Sequence, residues 1–266
     1  MPELPEIETL SQQLQTVTQS IITEISFANV KLRYNLEPSL HNAEYKKIIK
    51  ISRRAKYLIL HLSEGFLIVH LGMSGKLLLL KADAVLKKHD HVTIHLNDGH
   101  ILRYNDPRRF GCVIYRDDLS CLQNLAIEPF DSNFNSEYLY KELQKKSTNI
   151  KTCILSGSIV VGVGNIYVSE SLFLSRIHPL RPGNSISLSE CESLIKSIHQ
   201  TLTLAIKNKG SSLKDFVNIY SEHGNATNNL LVYAKSGLQC SNNCGNNIKS
   251  LRISGRNTFY CNKCQL

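Results

Sequence analysis

Apolar and polar positions change rhythm near the middle of the chain. After an opening stretch, 5–18, with helical periodicity and a Pro5 suited to a first turn, the first half runs in short apolar or alternating blocks. These predict strands over 56–62, 66–71, 76–81, 91–96, 100–105 and 111–115, with Glu64-Gly65 and Asn97-Asp98-Gly99 as hairpin turns. A β-sandwich or barrel follows. The second half reads helical. Ser187-Leu188-Ser189-Glu190 forms a capping box ahead of Leu194, Ile195, Ile198, Leu202 and Ile206, and Gly210 ends the run. Further helices are expected near 136–146, 166–175 and 212–220, and the tail from about 230 returns to short strands. Between the halves, Glu-Pro-Phe-Asp-Ser-Asn-Phe-Asn at 128–135 has the composition of a connector.

No apolar run in the 266 residues approaches the 18 needed for a membrane helix, which excludes a helical span. The formal charge of +9 favours a polyanionic partner without identifying one. Its distribution is more informative: residues 1–133 hold 16 basic and 15 acidic side chains, and 134–266 hold 15 and 7, so nearly all the excess is in the second half. The start, Met1-Pro2-Glu3-Leu4-Pro5-Glu6-Ile7-Glu8, is acidic and lacks the apolar core of a signal peptide, so a cytosolic, reducing location is expected.

Eight cysteines are too few for a disulfide scaffold, yet four lie in the last 27 residues. Cys240-x3-Cys244 and Cys261-x2-Cys264 place two thiol pairs at the ends of a hairpin-sized insert, and four such thiolates can enclose one tetrahedral zinc ion. Free or disulfide-linked cysteines are the alternative. A closed four-cysteine site is structural, so any catalysis lies elsewhere. Cys112, Cys121, Cys153 and Cys191 are scattered among apolar neighbours and read as small buried hydrophobes.

An initiator Met before Pro is commonly removed, which would expose the secondary amine of Pro2 beside Glu3. An α-amine of near-neutral pKa can attack an electrophilic sugar carbon and form a Schiff base, with Glu3 handling protons. Pro and Glu are equally ordinary helix-start residues, so both readings stand on local grounds. His89-Asp90-His91 with His95 could suggest a second metal, but these histidines suit a nearby polyanion as well.

Taken together, Pro2-Glu3-Leu4-Pro5-Glu6, Asp106-Pro107-Arg108-Arg109-Phe110-Gly111, Gly162-Val163-Gly164-Asn165-Ile166-Tyr167 and the cysteine tail resemble bacterial formamidopyrimidine-DNA glycosylases, in the same order from residue 2 to 266. The resemblance implies an α+β multidomain fold. A β-sandwich carrying the first helix would occupy 1–129, a linker 130–135, a helix-two-turn-helix domain 136–229 and a four-cysteine zinc-finger hairpin 230–266. It also implies a base-excision repair enzyme that excises 8-oxoguanine and formamidopyrimidines through a Pro2 Schiff base, then cuts the strand by β,δ-elimination. Glu3 matches the general acid/base and Glu6 a supporting carboxylate. Lys56 matches a phosphate-contacting lysine that assists proton transfer, and Arg256 an arginine at the finger tip that grips the lesion phosphate. Met73, Arg108 and Phe110 match the wedge that fills the gap left by an extruded nucleotide. His70, His89, Lys146 and Asn165 match positions that contact DNA. One structural zinc ion, no organic cofactor, damaged double-stranded DNA as partner and a monomer in the bacterial cytosol complete the expectation.

Three departures from the family pattern stand out. The first cysteine pair has three intervening residues where the family usually has two, Ser221–Thr227 lacks the aromatic-bearing glycine loop often found over the extruded base, and Val232-Tyr233-Ala234-Lys235 replaces a common Tyr-Gly-Arg string. The nearest rival is an endonuclease VIII-like glycosylase for oxidised pyrimidines, against which Leu4 and the Met73/Arg108/Phe110 set point to the purine branch. A non-catalytic zinc DNA-binding protein leaves Pro2-Glu3 and Lys56 unexplained. A small-molecule Schiff-base lyase or isomerase has no use for a wedge or a basic domain.

Overall fold

The computed structural model describes residues 2–210, 217–221 and 229–266. The chain divides into two compact units, one built from 1–124 and 208–227, the other from 125–207 and 228–266.

The first unit opens with helix α1 (Leu4–Gln13), extended by a 3-10 turn (Leu14–Val17), so the expected helix over 5–18 tightens in its last turn. Eight strands follow: β1 (Ile22–Phe27), β2 (Ile48–Arg54), β3 (Tyr57–Leu62), β4 (Phe66–His70), β5 (Lys76–Lys81), β6 (Asp90–Leu96), β7 (His100–Asn105) and β8 (Cys112–Arg116). They form two antiparallel four-stranded sheets, ordered β1-β6-β7-β5 and β2-β3-β4-β8. Inward residues of both, among them Ile25, Leu58, Leu60, Val69, Ile94, Leu102 and Tyr104, share one core with Ile7, Leu10 and Leu14. This is a β-sandwich with α1 packed onto it. The pattern of the sequence misses β1 and β2 because each carries a register shift, between Ile22 and Glu24 and between Ile48 and Lys50. The extra residue breaks the period of two that announces a strand.

The second unit is helical: α2 (Ser136–Gln144), α3 (Ile150–Leu155), α4 (Asn165–Leu174) and α5 (Leu188–Lys207), followed by the hairpin β9 (Lys249–Ile253) and β10 (Arg256–Tyr260). The capping box is present, with the Ser187 amide donating to Glu190 Oε2 at 2.9 Å and the Glu190 amide donating to Ser187 Oγ at 3.3 Å. Helix α3 has only six residues, too few for a periodic signal, but Asn149 caps it by accepting the Thr152 amide at 2.9 Å.

The segment read as a connector is built into this second unit. His199 on α5 bonds the Pro129 carbonyl, Phe130 stacks on the His199 ring with centroids 5.3 Å apart, and Phe134 is buried. The chain later returns to the first unit. Ile219 is fully buried in the sandwich core and its carbonyl accepts the Leu79 amide at 3.0 Å. Of the helix expected over 212–220, residues 212–216 lie outside the described residues, and 217–220 are not helical. Most of the Ser221–Thr227 segment is likewise outside them.

Among the described residues no helix is long and apolar enough to cross a membrane.

Candidate functional site

In the first unit the start of α1 sets the chemistry. Pro2 is buried, and Glu3 and Glu6 are 2% and 0% exposed. Glu3 is the N-cap and Glu6 the third helical residue, and the Glu3 amide donates to Glu6 Oε2 at 2.8 Å. A carboxylate is stabilised by the free amides and dipole at a helix start, so two acids can be held here under apolar neighbours. Gly210, read from sequence as a helix stop, packs against Glu6. Its φ of +81° strains any side chain there, and an added Cβ would crowd Glu6 at 3.1 Å from Cγ and 3.2 Å from Oε1.

Lys56 and Ala55 make the two-residue turn between β2 and β3, with Ala55 at φ +53°. Tyr57 beside it pairs with His70 at the end of β4, the two rings 4.8 Å apart. His70 Nδ1 accepts the Gly72 amide at 3.0 Å. Burial, aided by the Arg33 and Lys56 charges, pushes the His70 imidazole down to about 4, so it is a neutral hydrogen-bonding group at physiological pH.

Met73 lies half-buried at the β4–β5 turn. Arg108 and Phe110 are exposed on the β7–β8 loop, the Arg108 guanidinium 5.1 Å over the Phe110 ring. The two loops lie back to back, since a Cβ on Gly72 would stand 2.4 Å from the Phe110–Gly111 peptide. His89, at φ +75°, has its carbonyl bonded by the Asp106 amide. The first unit therefore brings Met73, His89, Arg108 and Phe110 onto adjoining loops, with His70 at the strand end that leads into the first of them.

In the second unit Asn165 is the first residue of α4. Its Nδ2 donates to the Asn257 carbonyl at 3.0 Å and approaches the Tyr233 hydroxyl at 3.4 Å. Arg256 opens β10, exposed, after a Ser254-Gly255 turn in the left-handed region. Lys146 lies just beyond α2, partly exposed.

Sequence reasoning missed two residues here. Lys151 on α3 is fully buried, and its Nζ donates to Thr258 Oγ1 at 2.6 Å and to the Asn257 carbonyl at 3.3 Å. Two side chains from different helices thus fix the carbonyl next to Arg256. Glu170 on α4 is 2% exposed and accepts the amides of Leu231, Val232 and Tyr233. Nothing in the sequence marks either residue, because a charged side chain in a helix normally reads as solvated.

The sulfurs of Cys240, Cys244, Cys261 and Cys264 all lie within 4.8 Å of one another, with Cys244–Cys261 at 3.5 Å and Cys240–Cys264 at 3.8 Å. A disulfide would need about 2 Å. Sulfurs roughly 2.3 Å from a tetrahedral zinc stand about 3.8 Å apart, close to the two short separations here, so the cluster fits the ion. A backbone amide from Asn246 pulls the Cys244 thiol down to about 7, while burial pushes Cys240 up to about 12. Metal binding displaces the remaining thiol protons. These four hold one structural zinc ion, and no second cluster of three or more ligand residues occurs among the described residues, His89, His91 and His95 included. Of the other cysteines, Cys112, Cys153 and Cys191 are buried as expected, but Cys121 is exposed, on a surface turn after β8.

A β-sandwich in one unit and a helical unit ending in a zinc-stapled hairpin in the other define a class of two-unit, four-cysteine proteins. Comparison with known proteins narrows the class. Three family models match in succession: the formamidopyrimidine-DNA glycosylase N-terminal domain over 1–113, its H2TH domain over 125–217, and the zinc finger found in FPG and IleRS over 240–266. The formamidopyrimidine-DNA glycosylase of Haemophilus influenzae (strain PittEE) is 42% identical, covering 100% of this chain and 99% of that protein, and that of Vibrio atlanticus is 43% identical over 100% of both. A solved complex of Lactococcus lactis Fpg with abasic-site DNA superposes with a TM-score of 0.90 at 36% identity, covering 99% of each chain. The chain belongs to the formamidopyrimidine-DNA glycosylase family.

Proposed function

We propose that the enzyme is bifunctional, excising 8-oxoguanine and formamidopyrimidines from double-stranded DNA and then acting as an AP lyase. With Met1 removed, the Pro2 nitrogen attacks C1′ as the bond to the damaged base breaks and the base departs with a proton. Glu3 donates a proton to the sugar ring oxygen, the ring opens, and an iminium links Pro2 to C1′. The iminium acidifies the C2′ proton. Loss of that proton expels the 3′ phosphate, and a second elimination expels the 5′ phosphate. Glu6 holds the Glu3 amide and so orients both residues, while Lys56 and Arg256 stabilise phosphate charge and assist proton transfer.

His70, His89, Lys146 and Asn165 are assigned to phosphate contacts, and Met73, Arg108 and Phe110 to the wedge that keeps the nucleotide extruded. On this reading the β-sandwich unit carries the chemistry and wedge, and the helical unit with its zinc-finger hairpin grips the backbone. Every group comes from one chain, so a monomer in the bacterial cytosol is the proposed working form. The observation that supports the reading is that Glu3 and Glu6, both buried, are locked in a capping box at the helix start that immediately follows Pro2, so two acids are held in fixed positions next in sequence to the residue that would bear the amine. The Lactococcus lactis relatives in complex with abasic-site and N7-benzyl-Fapy-dG DNA support the substrate class.

Borohydride added during reaction with an 8-oxoguanine duplex is expected to trap a covalent adduct on Pro2, identified by peptide mass. Attachment to an internal lysine would overturn the mechanism. A lesion panel adding formamidopyrimidine and thymine glycol tests the purine assignment, which fails if thymine glycol is the better substrate.

A further inference from the structure

Asp106 heads the loop that carries Arg108 and Phe110, yet it has no solvent exposure. Both carboxylate oxygens are engaged inside the protein. Oδ1 accepts the Ser74 hydroxyl at 2.8 Å and the Arg108 amide at 3.3 Å, and Oδ2 accepts the Gly111 amide at 2.9 Å and the Tyr104 hydroxyl at 3.3 Å. Ser74 Oγ also accepts the Arg108 amide, at 3.3 Å. The main chain of Asp106 is bonded as fully: its amide donates to the His89 carbonyl at 3.0 Å, and its carbonyl meets His91 Nε2 at 3.0 Å and the Arg109 amide at 3.2 Å. Ser74 belongs to the Met73 turn, so one buried carboxylate ties together the two loops whose tips carry the wedge.

We infer that Asp106, acting through Ser74, is a positioning residue that makes the Met73 loop and the Arg108–Phe110 loop one rigid body, so that gap filling and contact with the estranged base occur together. The inference rests on the wedge assignment above. Separating a base step costs a few kcal/mol, and the stack presses back on whatever enters it. Loop tips with few contacts yield to such a load, and the tips here are half-buried or exposed. A carboxylate that accepts donors from both loops resists it, because moving either loop alone breaks charge-assisted hydrogen bonds in a site closed to water. Arg109, at φ +59°, is held in a conformation a free loop would leave.

Ser74→Ala cuts the tie between the loops and leaves Asp106 in place. Single-turnover excision of 8-oxoguanine from duplex DNA is expected to slow about tenfold, the effect of one lost hydrogen bond on the inserted state. Cleavage of an abasic site in single-stranded DNA, which has no partner base to displace, is expected to stay within about twofold of the parent. Ser74→Thr keeps the hydroxyl and is expected to restore duplex excision. Adding Ser74→Ala to Met73→Ala is expected to slow excision no further, since both act on one step.

Equal slowing of both substrates by Ser74→Ala would mark a general structural defect and overturn the proposal. So would full-rate duplex excision by Ser74→Ala where Met73→Ala is slow. Full-rate excision by Met73→Ala would bring down the wedge assignment itself and this proposal with it.

Discussion

Glu170 is where α4 takes hold of the zinc-bearing tail, and its replacement tests whether that hold is what keeps the finger in place. Oε1 accepts the amides of Val232 at 3.0 Å and Tyr233 at 2.8 Å, and Oε2 accepts that of Leu231 at 2.7 Å. Val232 packs with Phe173, Cys240, Ile248 and Cys261, so any displacement reaches the metal site directly. Glu170→Ala removes all three acceptors. Leu231 and Tyr233 are partly exposed and regain water, but Val232 has no exposure, and its orphaned amide carries the full desolvation cost. With about 1–3 kcal/mol for that amide and less for the others, the loss comes to about 3–4 kcal/mol.

Glu170→Gln keeps Oε1 for two amides and turns an NH2 toward the Leu231 amide, which costs about 1–2 kcal/mol. Burial raises the Glu170 carboxyl above the usual range despite the three amides. The folded state thus holds the proton more tightly than the unfolded chain, and that part of the stability fades as pH rises through the folded value. The gap between parent and Gln variant is therefore expected to narrow with rising pH. Urea unfolding followed by circular dichroism gives the stabilities, and the rate of zinc capture by a chelator reports on the finger. Glu170→Ala is expected to release zinc fastest. If Gln costs as much as Ala, or if both stay within about 0.5 kcal/mol of the parent, the amide clamp is not what secures the tail.

Cys261→Ser is expected to lower zinc content and abolish binding to a lesion duplex while the sandwich keeps its own unfolding transition. Tight binding by metal-free protein would refute this. His70, held near 4 in the fold against about 6.5 unfolded, is expected to remove about 1 kcal/mol of stability per pH unit as pH falls from 6.5 toward 4, and His70→Gln to flatten that slope in urea titrations. An unchanged slope means the imidazole is not held neutral. Arg108→Ala is expected to reduce discrimination between bases opposite the lesion by about tenfold while abasic-site cleavage changes less. Equal losses in both assays would count against a contact with the estranged base.

The zinc site was the most legible part of the chain. Ligand spacing is a local property, and two close thiol pairs flanking a hairpin leave the metal little choice of geometry. The six strands with apolar runs or alternation, the capping box and the Pro-Glu start were readable for the same reason. Strands β1 and β2 were not, because the bulge in each sets its buried residues three apart, Ile22 and Ile25 in one and Ile48 and Ile51 in the other, which is not a strand spacing. The role of 128–135 was also hidden: its composition is that of a connector, and only the packing of Phe130 on His199 and the burial of Phe134 join it to the second unit.

By itself the sequence determined the two textures of the chain, the metal ligands, the placement of positive charge in the second half and the family motifs that name the chemistry. These rest on short-range free energies: caps, turns, periodicity and ligand spacing. The tertiary structure alone decided where the buried charges go. Asp106 meets Ser74 across 32 residues and Lys151 meets Thr258 across 107, and each pairing exists only because a carboxylate or an ammonium deprived of water must find its partner wherever the fold brings one.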